Sequence, residues 1–536
     1  MSSLQNLIPD PSTPETWQSR PASILAANFA GGGPFSSGFS SGFQQTTFTV
    51  GFGTGFISCI LVVGNLVFGM ISTQRNPGND EPFCFNLQTN GFVTVSGVTA
   101  ANTPTSPPQT GDWTPPQMEI IGSKVVVCHS GFSGVGGNFF GWFDISTPTA
   151  PSWHAGNFSG PAGLVFTVAP TGIAQFSGRA YYIHNAAQPG VIWSDVLNPL
   201  VNTGTVTPVL TFGDTVQLTA IAGLPLNNQL GGIIQSLMVF KGASNIFQIT
   251  GDAITNNLAS NSLNVQTGTF AANSLTPTPK GLAFIAPDGL RVIDFLARVS
   301  DPIGIDGKGV NVPFQLVVNP TRINMACNSN ILRVSLLNGN LAGAPAQEYW
   351  YDFARGVFHG PHTFPASMIA PFLNTFIMSP IGVLSTLWRS DSIQSLTSTF
   401  VENGKQLTWM LNTPFLPSTE TISNNEMHES SIELAFAPGT PPVTVAMVAS
   451  QGNVLDSVTL AGASTATIWG SFLWGSAVWG GVPNLLAPRQ IPWTKPNTFN
   501  KMQVQVAGQS AQAVKISRLE LRYGKLRSLV DVNIAA

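Results

Sequence analysis

Residues Gly281–Asp294 read GLAFIAPDGLRVID. Two apolar runs, Gly281–Ile285 and Leu290–Asp294, flank Pro287-Asp288-Gly289. Proline presets φ at the first corner of a turn and glycine tolerates the positive φ that closes it. The stretch therefore predicts two antiparallel strands and a tight turn. The same grammar recurs on both sides. Ile57–Val63 and Leu66–Ser72 flank Gly64-Asn65, Lys124–Cys128 precedes Phe139–Ile145, and Arg179–Ile183 precedes Val191–Asp195. Leu237–Lys241 precedes Asn245–Thr250, Ile331–Leu337 precedes Glu348–Phe353, and Val383–Arg389 follows. The units begin near 57, 122, 179, 237, 281, 331 and 383, a recurrence of about 50 residues. Short antiparallel strands at that spacing are expected of β-propeller blades, whose ring closure protects the strand edges. Six or seven blades fit, and six are favoured, with the outermost units joined to close the ring.

Composition agrees with an all-β chain. Among 536 residues there are 54 glycines and 40 prolines, and only 9% are charged. That excludes a coiled coil or helical solenoid, and 43% hydrophobic content excludes a charged disordered chain. A net charge of −3 gives no global attraction to nucleic acid or anionic membrane. Between Arg20 and Arg75 no charge occurs, and Phe56–Ile71 is an apolar run. It falls short of the ~20 residues a bilayer helix needs, and Gly64-Asn65 interrupts it as a hairpin turn does. No stable membrane insertion is expected.

Three regions follow. Residues 1–50 read as an extended N-terminal arm, with Pro9, Pro11, Pro14 and Pro21 excluding helix and no basic leader of a secretory signal. Within it, Phe35, Phe39 and Phe43 recur in a Gly/Ser-rich stretch, as interface anchors or as part of a disordered tail. Residues 51–405 form the propeller. Residues 406–536 read as a C-terminal β-sandwich-like unit, with alternating runs such as Met502–Val506 and Leu519–Tyr523. Residues 406–488 carry a net charge of −5 and 489–536 carry +6. These blocks pair either between neighbouring subunits or within one chain. Trp469, Trp474 and Trp479, each followed by glycine, suit either an interface or their own core.

Chemistry-bearing motifs are sparse. Cys59, Cys84, Cys128 and Cys327 make no C-x-x-C pair, no zinc H-E-x-x-H, Walker A or G-x-G-x-x-G motif occurs, and Gly131-Phe-Ser133-Gly134-Val135 misses the final glycine of a G-x-S-x-G elbow. His359-Gly-Pro-His362 reads as an exposed turn, and Glu426-Met-His428-Glu429 as a loop entering the strand Ser431–Phe436. No paired carboxylates of a glycosidase are apparent. No cofactor, no metal and no catalytic activity are expected.

The order of several fragments resembles a known family. These are Arg179–Ile183 with Val191–Asp195, Leu237–Lys241 with Ile246–Gly251, Lys280–Gly289, Tyr351–Phe358, the Trp-Gly series near 470, and the strand ending Arg518–Tyr523. Over about residues 120–525 the chain is similar to the tail nozzle, or tail hub (packaged-DNA-stabilisation), β-propeller proteins of short-tailed bacteriophages. The resemblance implies a structural virion protein of the tail. It implies a homohexameric ring below the portal and adaptor, beside tail fibre or spike proteins, with passing contact to double-stranded viral DNA at ejection. The alternative is a receptor-binding or glycan-recognising propeller of a virion, in which the Trp469–Trp479 loop stacks on sugar rings.

Overall fold

The computed structural model describes residues 3–5, 7–9, 17–20, 23–28, 56–72, 78–107, 113–227, 233–253, 257–303, 319–336, 347–380, 386–390, 401–402, 405–417, 425–436, 442–460, 487–494, 498–510 and 514–525. Their regular structure is all β, apart from short 3₁₀ turns such as Val135–Gly137. The apolar run at 56–71 forms the strands Ile57–Val63 and Leu66–Ser72, turning at Gly64 with φ 59°. No helix among the described residues is long and apolar enough to cross a membrane.

Between residues 57 and 390 the described residues form seven small antiparallel sheets, the last with Ser23–Asn28. Their innermost strands are, in order, Ile57–Val63, Gln117–Ile121, Gly172–Phe176, Leu218–Asn227, Thr276–Thr278, Asn324–Asn328 and Ala366–Phe372. Neighbouring innermost strands approach one another, the fourth reaching the fifth through the 3₁₀ turn Ala272–Ser274, and the seventh returns to lie against the first. Among the described residues the ring thus counts seven sheets, one more than the six blades favoured from the sequence. The miscount has a physical cause. The sequence reading merged the last unit with the first to close the ring. The closing strand instead comes from upstream: Ser23–Asn28 pairs antiparallel with Thr386–Ser390 and completes the seventh blade.

Side-chain alternation explains why the strands read as continuous apolar runs. On Lys124–Cys128, Val125 and Val127 pack into a cluster with Phe68, Met70 and Cys84 of the first blade. Val126 and Cys128 pack with Ala180, Tyr182 and Ile192 of the third. Successive strand residues point to opposite faces, and here both faces are interior. Comparable clusters join each neighbouring pair, including Phe372, Ile377 and Leu387 of the seventh blade with Val67, Phe83 and Phe85 of the first. Each fully buried Val, Leu or Phe contributes about 1.5–3 kcal/mol, so the interfaces between blades are the core of the ring. All four cysteines are unpaired.

The C-terminal region contributes most of the strands of two six-stranded sheets around one further core. One contains Lys405–Asn412, Val443–Ala449, Val454–Leu460 and Met502–Ser510; the other contains Asn425–Phe436, Ala487–Gln490 and Val514–Lys525. Trp409, Val445, Met447 and Val504 of the first meet Ile432, Leu434 and Ile516 of the second. Residues of the expected arm add strands here too: Ser3–Gln5 pairs with the first sheet, and Leu7–Pro9 with Trp17–Ser19 extends the second. The acidic and basic blocks meet within one chain, where Glu433 stands opposite Arg518 and Glu429 lies 4.0 Å from Arg522.

Removal of residues 1–28 takes the fourth strand from the seventh blade and uncovers edges in both larger sheets. The expected outcome is a melting midpoint lowered by more than about 5 °C and a rise in aggregation. Differential scanning calorimetry with light scattering measures both, and unchanged melting would refute the closing role of Ser23–Asn28.

Candidate functional site

Seven innermost strands converging on one axis crowd their backbones. A Cβ on Gly223 would lie 2.9 Å from the Gln175 carbonyl oxygen, so glycine permits the close approach of the fourth blade to the third. Inside the ring remains a cavity of about 360 Å³ lined by all seven blades. Its polar side chains are Gln117 and Glu119 from the second blade, Gln175 from the third, Asn273 ahead of the fifth and Asn324 from the sixth. Met118, Met325, Met368 and Cys59 supply apolar wall. A cavity into which polar side chains from separate blades converge is a candidate small-molecule site.

The polar groups are held by specific bonds. Gln117 Nε2 donates to Asn273 Oδ1 at 2.7 Å. Asn324 Oδ1 accepts from the Ile369 amide at 3.0 Å, and its Nδ2 lies 3.5 Å from Met368 Sδ. Glu119 Oε1 accepts from the Ile120 amide at 3.2 Å. Burial pushes the Glu119 carboxyl up to about 7, and the Ile120 amide opposes this only in part. Near neutrality this group therefore both donates and accepts hydrogen bonds.

One end of the channel is covered. Phe56, Trp113 and Arg322 lie one, four and two residues ahead of the innermost strands of the first, second and sixth blades. Trp113 lies 5.8 Å from Phe56, and the Arg322 guanidinium lies 5.2 Å over the Trp113 ring. The second and sixth blades are three places apart on a ring of seven, so this cation–π contact reaches across the mouth.

Two buried polar clusters have a different character. Asp80 accepts from Ser58 Oγ and lies 3.0 Å from His129 Nε2, with all three residues buried. His129 Nδ1 accepts from the Gly131 amide, which leaves the ring proton on Nε2, directed at Asp80. The carboxylate thus sits between hydroxyl and imidazole and fastens the first blade to the second. In the sixth blade Glu348 accepts from Arg333 Nε at 2.7 Å, Trp350 Nε1 at 2.6 Å and the Ala366 amide at 3.0 Å. Beside it His359 Nδ1 lies 3.2 Å from His362 Nε2. Trp17 packs edge-on to His359, and Arg20 donates to the Thr363 carbonyl at 2.8 Å.

The sequence-derived candidates fare unevenly. Trp469, Trp474, Trp479, Phe35, Phe39 and Phe43 all lie outside the described residues. His359 and His362, expected on an exposed turn, are 0% and 4% exposed on the strand Val357–His362. Strand pairing to Glu348–Asp352 buries them. Glu426, His428 and Glu429, expected in a loop, belong to the twelve-residue strand Asn425–Phe436. The channel residues Gln117, Glu119, Gln175, Asn273 and Asn324 were missed. Their one local signal is a polar residue set into a short apolar run just ahead of each stronger strand pair, as in Gln117-Met-Glu-Ile-Ile121.

No family model matches the chain, and no curated protein matches it. Solved structures do. An exo-β-1,3-galactanase from Phanerochaete chrysosporium with galactose is 13% identical, covering 77% of this chain and 96% of the galactanase, with a TM-score of 0.28. The SapL1 lectin in complex with α-methyl fucoside is 15% identical, covering 55% and 92%, with a TM-score of 0.32. A chain of the mitotic checkpoint complex is 9% identical, covering 63% and 91%, with a TM-score of 0.36. The expectation that the chain is not an enzyme is withdrawn, because an enzyme stands among its structural neighbours. With TM-scores this low, the functional argument rests on this chain's own residues.

The histidine pair makes stability pH-dependent. Burial lowers His359 to about 3, with Asp352 opposing and Arg355 assisting. Burial, then His359, Arg20 and Arg333, holds His362 well below its usual value. Both are neutral when folded, whereas the unfolded chain binds protons below about 6.5. Stability is full above that pH and is lost as pH falls below it, by roughly a kcal/mol per histidine per pH unit. Urea denaturation from pH 8 to 5 is expected to show this slope, reduced in the His359→Gln/His362→Gln variant.

Proposed function

We propose that this chain is a carbohydrate-recognising β-propeller whose axial channel holds a neutral sugar. The observation that carries the reading is the convergence of amide groups and the Glu119 carboxyl from separate blades into one cavity of about 360 Å³. Sugars present hydroxyls that donate and accept at once, and amides with a protonatable carboxyl answer both roles. The Met118, Met325 and Met368 wall suits the C–H faces of a ring. Galactose and α-methyl fucoside, the ligands of the galactanase and lectin structures, are natural first probes.

A second reading keeps the nozzle or hub ring of a short-tailed phage tail, and one observation favours it. Ile233, Ile234 and Leu296 stand 70%, 44% and 51% exposed beside the bond from the Asn227 amide to the Phe295 carbonyl. Grouped apolar side chains mark contact surfaces, as a homohexamer beside portal, adaptor and fibre proteins requires. In that reading duplex DNA passes between subunits, since a cavity of this size admits only a small molecule. Native mass spectrometry distinguishes the two: a hexamer supports the ring, and a monomer that binds sugar removes it.

Calorimetric titration of the full chain with neutral methyl glycosides tests the first reading. Binding is expected, weakened about two- to tenfold by Gln175→Ala, the loss of one hydrogen bond of ~0.5–1.5 kcal/mol. Absence of binding across the panel at millimolar concentration overturns it. Glu119→Gln is expected to flatten the pH dependence of folding stability between about 4.5 and 7. The native carboxyl holds its proton more tightly than the unfolded one, so the wild type loses stability as pH rises through that window.

A further inference from the structure

We infer that the Gln117–Asn273 hydrogen bond is the specificity element of the channel, a crossbar that reads two adjacent hydroxyls of a sugar ring. The inference rests on the carbohydrate reading above and adds the recognition element to it.

The geometry starts from blade order. Gln117 lies on the innermost strand of the second blade, and Asn273 lies in the 3₁₀ turn Ala272–Ser274 that leads into that of the fifth. These blades are three places apart on the ring, so a side-chain bond between them spans the axis. The bond joins Nε2 to Oδ1 at 2.7 Å between residues 156 positions apart in sequence. An amide nitrogen has two hydrogens and an amide oxygen two lone pairs. After the crossbar forms, Nε2 keeps one hydrogen and Oδ1 one lone pair. The pair thus offers a donor and an acceptor 2.7 Å apart, and both residues line the cavity. Neighbouring hydroxyl oxygens on a sugar ring have a similar separation. One accepts from Nε2 and the other donates to Oδ1.

Two further observations assign the reading role to this pair. The Asn324 amide already serves the Ile369 amide and the Met368 thioether, so it fixes the wall. The contact of Trp113 with Arg322 covers the end where the innermost strands begin. A sugar therefore reaches the crossbar from the opposite end, past Glu119 and Gln175. A site built to pair with hydroxyls rejects an analogue that lacks one, because its own polar groups are then left unpaired.

The test uses the full chain, with methyl β-galactoside and methyl α-fucoside as probes beside their 3-deoxy and 4-deoxy analogues. Saturation-transfer NMR and calorimetry measure affinity. The expected result is binding of a parent glycoside, with a loss of at least tenfold when either hydroxyl of the contacted pair is removed. Asn273→Ala is expected to weaken the parent by a similar factor and to abolish discrimination against the deoxy analogues. Equal affinity for parent and deoxy sugars, or undiminished discrimination in Asn273→Ala, overturns the crossbar and leaves the carbohydrate reading in place. No binding of any glycoside to the wild type overturns both. The deoxy comparison needs no variant, so a misfolded Asn273→Ala protein does not weaken the test.

Discussion

The structure depends on burying both faces of each small sheet. A strand such as Lys124–Cys128 points Val125 and Val127 toward one neighbouring blade and Val126 and Cys128 toward the other. Neither face can be left to water, so the row of sheets has no stable end until its last member meets its first. Phe372, Ile377 and Leu387 against Val67, Phe83 and Phe85 make that join. The strand Ser23–Asn28 then fastens it by completing the final sheet with chain from before the first. A chain with 9% charged residues is compatible with this plan because its strands need apolar groups on both sides.

Ring closure in turn creates the channel. Side chains distant in sequence meet there because seven strands share one axis, and a contact between blades three places apart has to cross it. Gln117 with Asn273, and Trp113 with Arg322, are two such crossings. Burial in the channel raises the Glu119 carboxyl toward neutrality. Asn324 is held to Met368 and the Ile369 amide, which fixes that part of the wall.

The buried polar clusters join units rather than line the cavity. Ser58, Asp80 and His129 link the first two blades, and Glu348 gathers donors from Arg333, Trp350 and Ala366 across the sixth and seventh. Buried polar networks fix geometry when their members are paired. Trp17 and Arg20, which flank a strand of a C-terminal sheet, meet His359 and Thr363 of the sixth blade. The same short segment of chain thus belongs to the sandwiching sheets and touches the ring. Protonation of the neutral histidines strains the joint between them.

By itself the sequence determined the all-β class, the recurring strand pairs and several boundaries, including Ile57–Val63 and Leu66–Ser72. Those signals are local, since β-branched and aromatic runs between Gly, Pro and Asn turns act over a few residues. The other innermost strands were illegible for the opposite reason. Thr276–Thr278 is only Thr-Pro-Thr, and Leu218–Asn227 contains Gly223 and Pro225, because a strand lining a crowded axis needs small and polar residues. Closure by Ser23–Asn28, burial of His359 and His362, and the meeting of Gln117 with Asn273 were decided by tertiary structure alone. Each is a contact between residues far apart in sequence, set by the order of blades around the axis, and no periodicity within a single strand carries that order.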